Sequence, residues 1–184
     1  AASGYEQVAE RTCNIRLTTV SRKRKKMKTV SSYGVELRKQ NIPVRQTLDI
    51  YRTAVSCLTG IYAQIWDELA VITELKKRFN TAEHLVHTTK KNHARFDFDR
   101  RFPKMPSYLR RAAIQHALGS VSSYKTRLEL WEKTDQKGGR PKLVCDNHAM
   151  PVFYRDVMYR EGAEGKDDAY LKLYDGHDWK WFCV

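Results

Sequence analysis

Cys145 and His148 stand at a spacing that metal ligands use, and His177 with Cys183 would complete four donors. A structural zinc site draws on two such pairs at short, regular spacing. The second pair has none, so these side chains are read as structural. Asp97 and Asp99 suggest two-metal phosphodiester cleavage, but that chemistry needs carboxylates from several elements. Both acids stand among Arg95, Arg100 and Arg101, which can pair with them. No GxGxxG, Walker loop, HExxH or GxSxG occurs, and without such a motif nothing places a phosphate, a zinc ion or a nucleophile. Catalysis by this chain alone is not expected, nor is a cofactor or resident metal.

Binding chemistry is better represented. Residues 80–106 hold His84, His87, His93, Lys90, Lys91, Arg95, Arg100 and Arg101, with Phe96, Phe98 and Phe102 between them. Cations interleaved with aromatics can hold phosphates while stacking bases. The same pattern serves a loop whose phenylalanines anchor it to a core, and the sequence weighs the two equally. Just beyond, a helix presents Arg110, Arg111, Gln115, Ser122 and Lys125 on its polar side, nearly free of acids until Glu129. Arg and Gln are the side chains that make paired hydrogen bonds to G and A edges in a major groove.

Lys and Arg number 34 against 21 Asp and Glu, a formal net charge of +13. Residues 1–45 and 90–127 each carry a net +8, whereas 46–89 carry −1 and 128–184 carry −2. Concentrated positive charge attracts polyanions, because each neutralised phosphate releases condensed counterions. The sharpest run, Arg22-Lys23-Arg24-Lys25-Lys26-Met27-Lys28, lacks apolar period and is expected to be solvated. Its purine-rich codons would also suit a ribosome-binding site read in frame, which would make Met27 the native start.

The elements that must position these groups follow from period. Residues 29–39 alternate through Tyr33, Val35 and Leu37, a strand with one buried face, and Pro43 suits a helix start. Leu48, Tyr51, Val55, Leu58, Tyr62, Ile65, Leu69 and Ile72 then recur in steps of three and four and continue to Leu75 and Phe79. That is a core-facing helical stripe, which Gly60 could split. Ser107 is expected to cap the next helix, whose buried stripe is Ile114, Ala117, Leu118, Val121, Tyr124, Leu128 and Trp131. Lys137-Gly138-Gly139-Arg140-Pro141 reads as a linker, 151–160 as a strand, and 169–174 as a second strand. Asp175-Gly176 signals a hairpin to a partner strand in His177–Val184. The fold class expected is α+β: a small β-barrel or sheet built from both chain ends, with a helical domain inserted. No run approaches the roughly 18 apolar residues of a membrane span, and the opening residues lack a secretory pattern. The cysteines at 13, 57, 145 and 183 form no CxxC and read as reduced thiols of a cytoplasmic protein.

At this level the chain resembles a known family. Pro106–Arg127 resembles the "xxxQxALxxxxxAYKxF" helix of TnpB (OrfB) proteins, the transposon-encoded RNA-guided nucleases ancestral to type V CRISPR effectors. In the same order, Gly139-Arg140-Pro141-Lys142-Leu143 is similar to the family's "GxPKF" link, and Val152-Phe153-Tyr154-Arg155 to its next strand. Gly176–Phe182 is similar to its "GxxWYxxF" strand. Val35–Arg38, Pro43 and the stripe ending at Gly60–Trp66 resemble its opening strand and first helix. The likeness spans residues 30–184.

The resemblance implies an oligonucleotide-binding-like wedge β-barrel interrupted by a helical recognition domain. It would comprise a basic extension (1–28), a first wedge strand (29–43), a recognition domain (44–135) and the remaining wedge strands (136–184). It implies a guide RNA and a target DNA duplex with a short adjacent motif as partners, base pairing reading the rest. Arg111 and Gln115 fall where the family places motif readers, and Tyr154 and Arg155 in the wedge strand beside them. The RuvC nuclease acids, the Mg they would hold and the zinc-ribbon cysteines are not among these residues. The chain then corresponds to the front half of such a nuclease, as a natural split subunit, a decayed copy or an engineered fragment. Cleavage would need a separate RuvC-containing chain, and the setting would be bacterial, cytoplasmic and nucleoid-associated. Two other classes remain open: a docking subunit for a nuclease chain, and a stand-alone DNA-binding repressor.

Overall fold

The stripe that begins at Leu48 folds as α1 (Val44–Gln64), which buries Leu48, Tyr51, Val55, Leu58 and Tyr62. In the computed structural model, residues 17–18, 32–33, 43–134, 136–145, 147–162 and 168–184 are described. Gly60 does not split α1. It is exposed, with no atom within 4 Å of where a Cβ would lie. Its cost of about 1 kcal/mol is small beside the roughly 1.5–3 kcal/mol that each fully buried apolar side chain contributes. The break comes later, at Ile65, followed by α2 (Trp66–Ala70) and α3 (Leu75–Val86). Arg78 fixes the bend between them: Nε donates to the Ile72 carbonyl at 2.9 Å and Nη2 to that of Ala70 at 3.3 Å.

The stretch 80–106 is more ordered than its lack of period predicts. α3 runs through its first residues, and α4 (Phe98–Arg101) forms a single turn. Phe98 and Phe102 are buried, with ring centroids 4.7 Å apart. These two rings anchor the segment to the core. α5 (Ser107–Lys133) starts one residue earlier than expected: Pro106 takes the capping position, and Ser107 is already helical. α1 and α5 form the principal helix pair, and α3 also packs on α5. The α5 stripe is deeper at its start than expected, because Leu109, Arg110, Ala113, Ile114, Ala117 and Val121 are buried while Trp131 is only half-buried. Among the described residues, no helix is long and apolar enough to cross a membrane.

The mixed α+β class holds, and both chain ends do meet in one sheet. β1 (Leu17–Thr18) pairs antiparallel with β2 (Ser32–Tyr33) and parallel with β3 (Phe153–Tyr154). Leu17–Thr18 lies inside the segment expected to be a basic extension; Arg22–Lys28 lies outside the described residues. The remaining strands β4 (Tyr159–Glu161), β5 (Ala169–Tyr174) and β6 (Trp179–Cys183) make a second, open antiparallel sheet in the order β4-β5-β6. A single barrel is therefore not what the described residues form. The expected strand 151–160 is two strands in different sheets. Asp156, at φ 65°, makes the turn between them, and Met158 N–H donates back to the Tyr154 carbonyl at 2.8 Å. Asp is one of the few residues that enters this left-handed region readily.

The hairpin signal is met in full. Gly176 sits at φ 103°, and the Asp175 carboxylate accepts the N–H groups of His177 and Asp178 at 2.9 and 2.7 Å. Those two hydrogen bonds hold its pKa below the ordinary value. Thr47 ties the hairpin to α1, with Oγ1 donating to the Tyr174 carbonyl at 2.9 Å and accepting its N–H at 3.1 Å.

Two core tyrosines make the fold sensitive to alkali. Tyr62 donates to the Ala82 carbonyl at 3.1 Å, and burial, then Glu83 and Cys57, push its hydroxyl far above the usual range. Tyr174 shares its proton between the carbonyls of Gly176 and Pro103, and burial, then the Asp175 charge, raises it. The folded state thus favours the neutral phenols. Their contribution is complete below the unfolded value of about 10 and falls as pH rises toward the folded values. Urea melts across that range are expected to show stability dropping with pH, and a shallower drop in Tyr62→Phe. Equal slopes in the two proteins would exclude Tyr62 as the titrating group.

Candidate nucleic-acid interface

Helical period puts Tyr108, Arg111, Gln115, Leu118 and Ser122 along one side of α5. With Ala112 and Gly119 they line a groove of about 850 Å³. Leu75, Lys76, Arg78, Phe79 and Asn80 come from α3, Trp66 from α2, and Tyr154 from β3. The small side chain of Ala112 and the bare Gly119 leave room above the helix. The lining holds cations (Lys76, Arg78, Arg111), rings (Trp66, Phe79, Tyr108, Tyr154) and amides (Asn80, Gln115), and no carboxylate. That composition suits an anionic ligand with flat, hydrogen-bonding parts. The volume is in the range that encloses one nucleotide-sized ligand, so a polymer would run past the groove and place part of itself inside.

Two of the cations are held in place by rings. The Arg111 guanidinium lies 5.1 Å from the Phe79 centroid, and that of Arg78 5.6 Å from Trp66. Tyr108 is 42% exposed, with its ring centroid 5.5 Å from that of Tyr154. One acid lies behind the groove. Glu83 of α3 approaches Arg110 Nη2 at 3.7 Å and Arg111 Nε at 3.6 Å, and its side chain is 19% exposed. Arg110 is buried, with Nη1 donating to the Met105 carbonyl at 3.5 Å and Nε lacking a hydrogen-bond partner. This corrects its expected place on the polar side. Residue 110 is four before Ile114 and seven before Ala117, so it belongs to the buried stripe, where it acts through Glu83.

Of the residues expected at the interface, Arg111, Gln115 and Tyr154 come together here. The others lie outside the lining. Lys125 is 3.9 Å from Asp67, and Arg155 pairs with Glu161 at 2.7 Å. Arg95 grips Glu68 with Nη1 at 2.9 and 3.1 Å and stacks on Phe96 at 5.4 Å. Arg100 is 3.7 Å from Asp97, and Arg101 sits 5.7 Å over Phe102. Lys90 and Lys91 are exposed at the tip of a turn closed by Thr89 and Asn92. Trp66, Lys76, Arg78, Phe79, Asn80 and Tyr108 were not anticipated. The triplet Lys76-Lys77-Arg78 beside Phe79 was the available signal, but averaging over 46–89 cancelled it.

The other polar clusters are structural in this arrangement. Asp99 accepts from Thr88 N–H and approaches His87 Nδ1, both at 2.8 Å. Ser56 Oγ donates to Cys145 Sγ at 3.3 Å. Among the described residues, no group of His, Cys, Asp and Glu is placed to hold a metal ion.

The sequence model of the Aq_aa04 family matches residues 31–175. No curated protein and no solved structure matches the chain.

Proposed function

The chain belongs to the Aq_aa04 family, and we propose that it is a nucleic-acid-binding module: the front half of a TnpB-like RNA-guided DNA endonuclease. In this reading it holds a guide RNA scaffold and reads a short motif beside the DNA target, with cleavage supplied by a RuvC part. The observation that carries the reading is the α3–α5 groove, where Lys76, Arg78 and Arg111 meet four rings and two amides with no acid in the lining. Arg111 and Gln115 are one turn apart on α5 and face the same opening. They are suited to paired hydrogen bonds with base edges. The pairing of β1 with both β2 and β3 is consistent with a wedge assembled from both chain ends, and Tyr154 of that sheet reaches the groove. The exposed Lys90 and Lys91 would add phosphate contacts.

The test is to purify the chain from its source and sequence the RNA that accompanies it. A discrete RNA species is expected, lost as salt is raised. In binding assays with that RNA and a DNA library, Arg111→Ala and Gln115→Ala should each reduce motif discrimination by about 1–3 kcal/mol while leaving RNA binding in place. A chain that emerges with no discrete RNA would overturn the guide-RNA reading. Unchanged motif preference in both variants would remove the two residues from it.

A further inference from the structure

The β4-β5-β6 sheet buries one face; among the described residues the other is partly exposed, with Tyr174 buried at its hairpin end. Tyr159, Leu171 and Leu173 are buried on the first. The alternate residues Arg160, Tyr170, Lys172 and Trp181 lie on the second, and the register pairs Arg160 with Tyr170 and Lys172 with Trp181 across the strands. Arg160 is exposed, and the other three are half-buried. The Arg160 guanidinium lies 3.9 Å from the Trp181 centroid. Lys172 Nζ lies 4.1 Å from the Trp179 ring and 5.6 Å from that of Trp181. Trp179 is fixed by its indole N–H, which donates to the Lys172 carbonyl at 3.1 Å.

The charges on this face are available. Among the described residues, neither Arg160 nor Lys172 forms an ion pair, while the nearby acids Glu161 and Asp178 are engaged by Arg155 and Lys180. The result is a row of alternating cations and rings from Arg160 through Trp181, with the exposed Asp168 carboxylate at its end, 3.8 Å from Cys183 Sγ. A guanidinium laid on an indole keeps its outer plane free, and bases stack on such planes as they do on aromatic rings. An ammonium beside them supplies a point charge for phosphate. Stacking requires bases that are not already stacked in a duplex, so the surface selects unpaired strands.

We propose that the outer face of β4-β5-β6 is a stacking platform for single-stranded nucleic acid, with Trp181 and Arg160 as its stacking elements and Lys172 as a phosphate contact. It shares no residue with the α3–α5 groove and does not rest on the guide-RNA reading. The experiment is anisotropy titration of the full chain with labelled oligo(U) and oligo(dT), with unlabelled duplex as competitor. Arg160→Ala and Trp181→Ala should each weaken single-strand binding by roughly tenfold, the scale of one lost stacking contact. Trp181→Phe, which keeps a ring in the sheet and guards against misfolding, should weaken it less. The part of the oligonucleotide-induced tryptophan quenching that Trp181→Phe removes should be the same with and without Lys76→Ala and Arg111→Ala. The stronger of oligo(U) and oligo(dT) assigns the platform to RNA or DNA. Unchanged affinity in Arg160→Ala and Trp181→Ala, or duplex competing as well as single strand once Lys76→Ala and Arg111→Ala have removed the groove cations, would overturn the proposal. A chain that copurifies with no discrete RNA yet loses oligonucleotide binding in Arg160→Ala would leave it standing while the guide-RNA reading falls.

Discussion

Glu83→Gln is expected to destabilise the protein and strengthen its hold on polyanions at once. Glu83 is the acid that faces both Arg110 and Arg111, at 3.7 and 3.6 Å. Arg110 is the buried partner, with only 9% of its side chain exposed. Neutralising Glu83 strands that guanidinium in a low-dielectric site, and removing one member of a buried pair costs about 3 kcal/mol or more. Arg111 is different: its side chain is 56% exposed and opens onto the groove. Released from Glu83, it presents a full charge to a ligand. Affinity for an oligonucleotide should rise by roughly threefold at low salt and fall more steeply with added salt. Thermal melts and anisotropy titrations on the same preparation read both effects. Stability lost without any gain in affinity would mean that Arg111 does not face the bound polyanion.

The helical part of the fold was legible in the sequence because steps of three and four leave a clear record. α1 and α5 were both anticipated, and Leu48, Tyr51, Val55, Leu58 and Tyr62 are buried as the stripe required. Gly60 misled, because a propensity cost of about 1 kcal/mol does not outweigh a packed stripe. The segment 80–106 was harder, since a twelve-residue helix and a four-residue one leave little period to detect. Its phenylalanines looked equally fit for bases or core, and burial of Phe98 and Phe102 decides for the core. The hairpin at Asp175-Gly176 was readable from turn chemistry, whereas the turn at Asp156 was not, because an isolated Asp in an apolar run carries no such signature.

The site was half legible. Arg111 and Gln115 follow from the acid-free side of α5, a purely local pattern. The cations that face them come from α3, and only tertiary packing brings Lys76 and Arg78 across. Block averages of charge hid them, since Glu74 and Glu83 flank that triplet in sequence. The same averages exaggerated 90–127, where Arg95 and Arg100 are engaged by Glu68 and Asp97 and Arg110 is buried. Local charge density therefore misplaced part of the candidate surface. Ion pairing and burial decide which cations are free, and a linear sequence records neither.

The largest loss of binding is expected from the groove itself. Lys76→Ala with Arg111→Ala removes two cations from its lining. Arg45→Ala with Lys133→Ala removes two exposed cations outside it, so the two proteins have the same net charge. Any difference between them then reports position rather than total charge. Each phosphate contact contributes about 0.9 to the slope of log K against log salt on a duplex. The measurement that tests the groove most directly is that slope for a DNA duplex, determined side by side in the wild type and the two isoelectric doubles. The slope should become shallower by about 2 in the Lys76 and Arg111 double and stay near the wild-type value in the other. Equal slopes in the two doubles would contradict the assignment of the α3–α5 groove as the surface that holds nucleic acid.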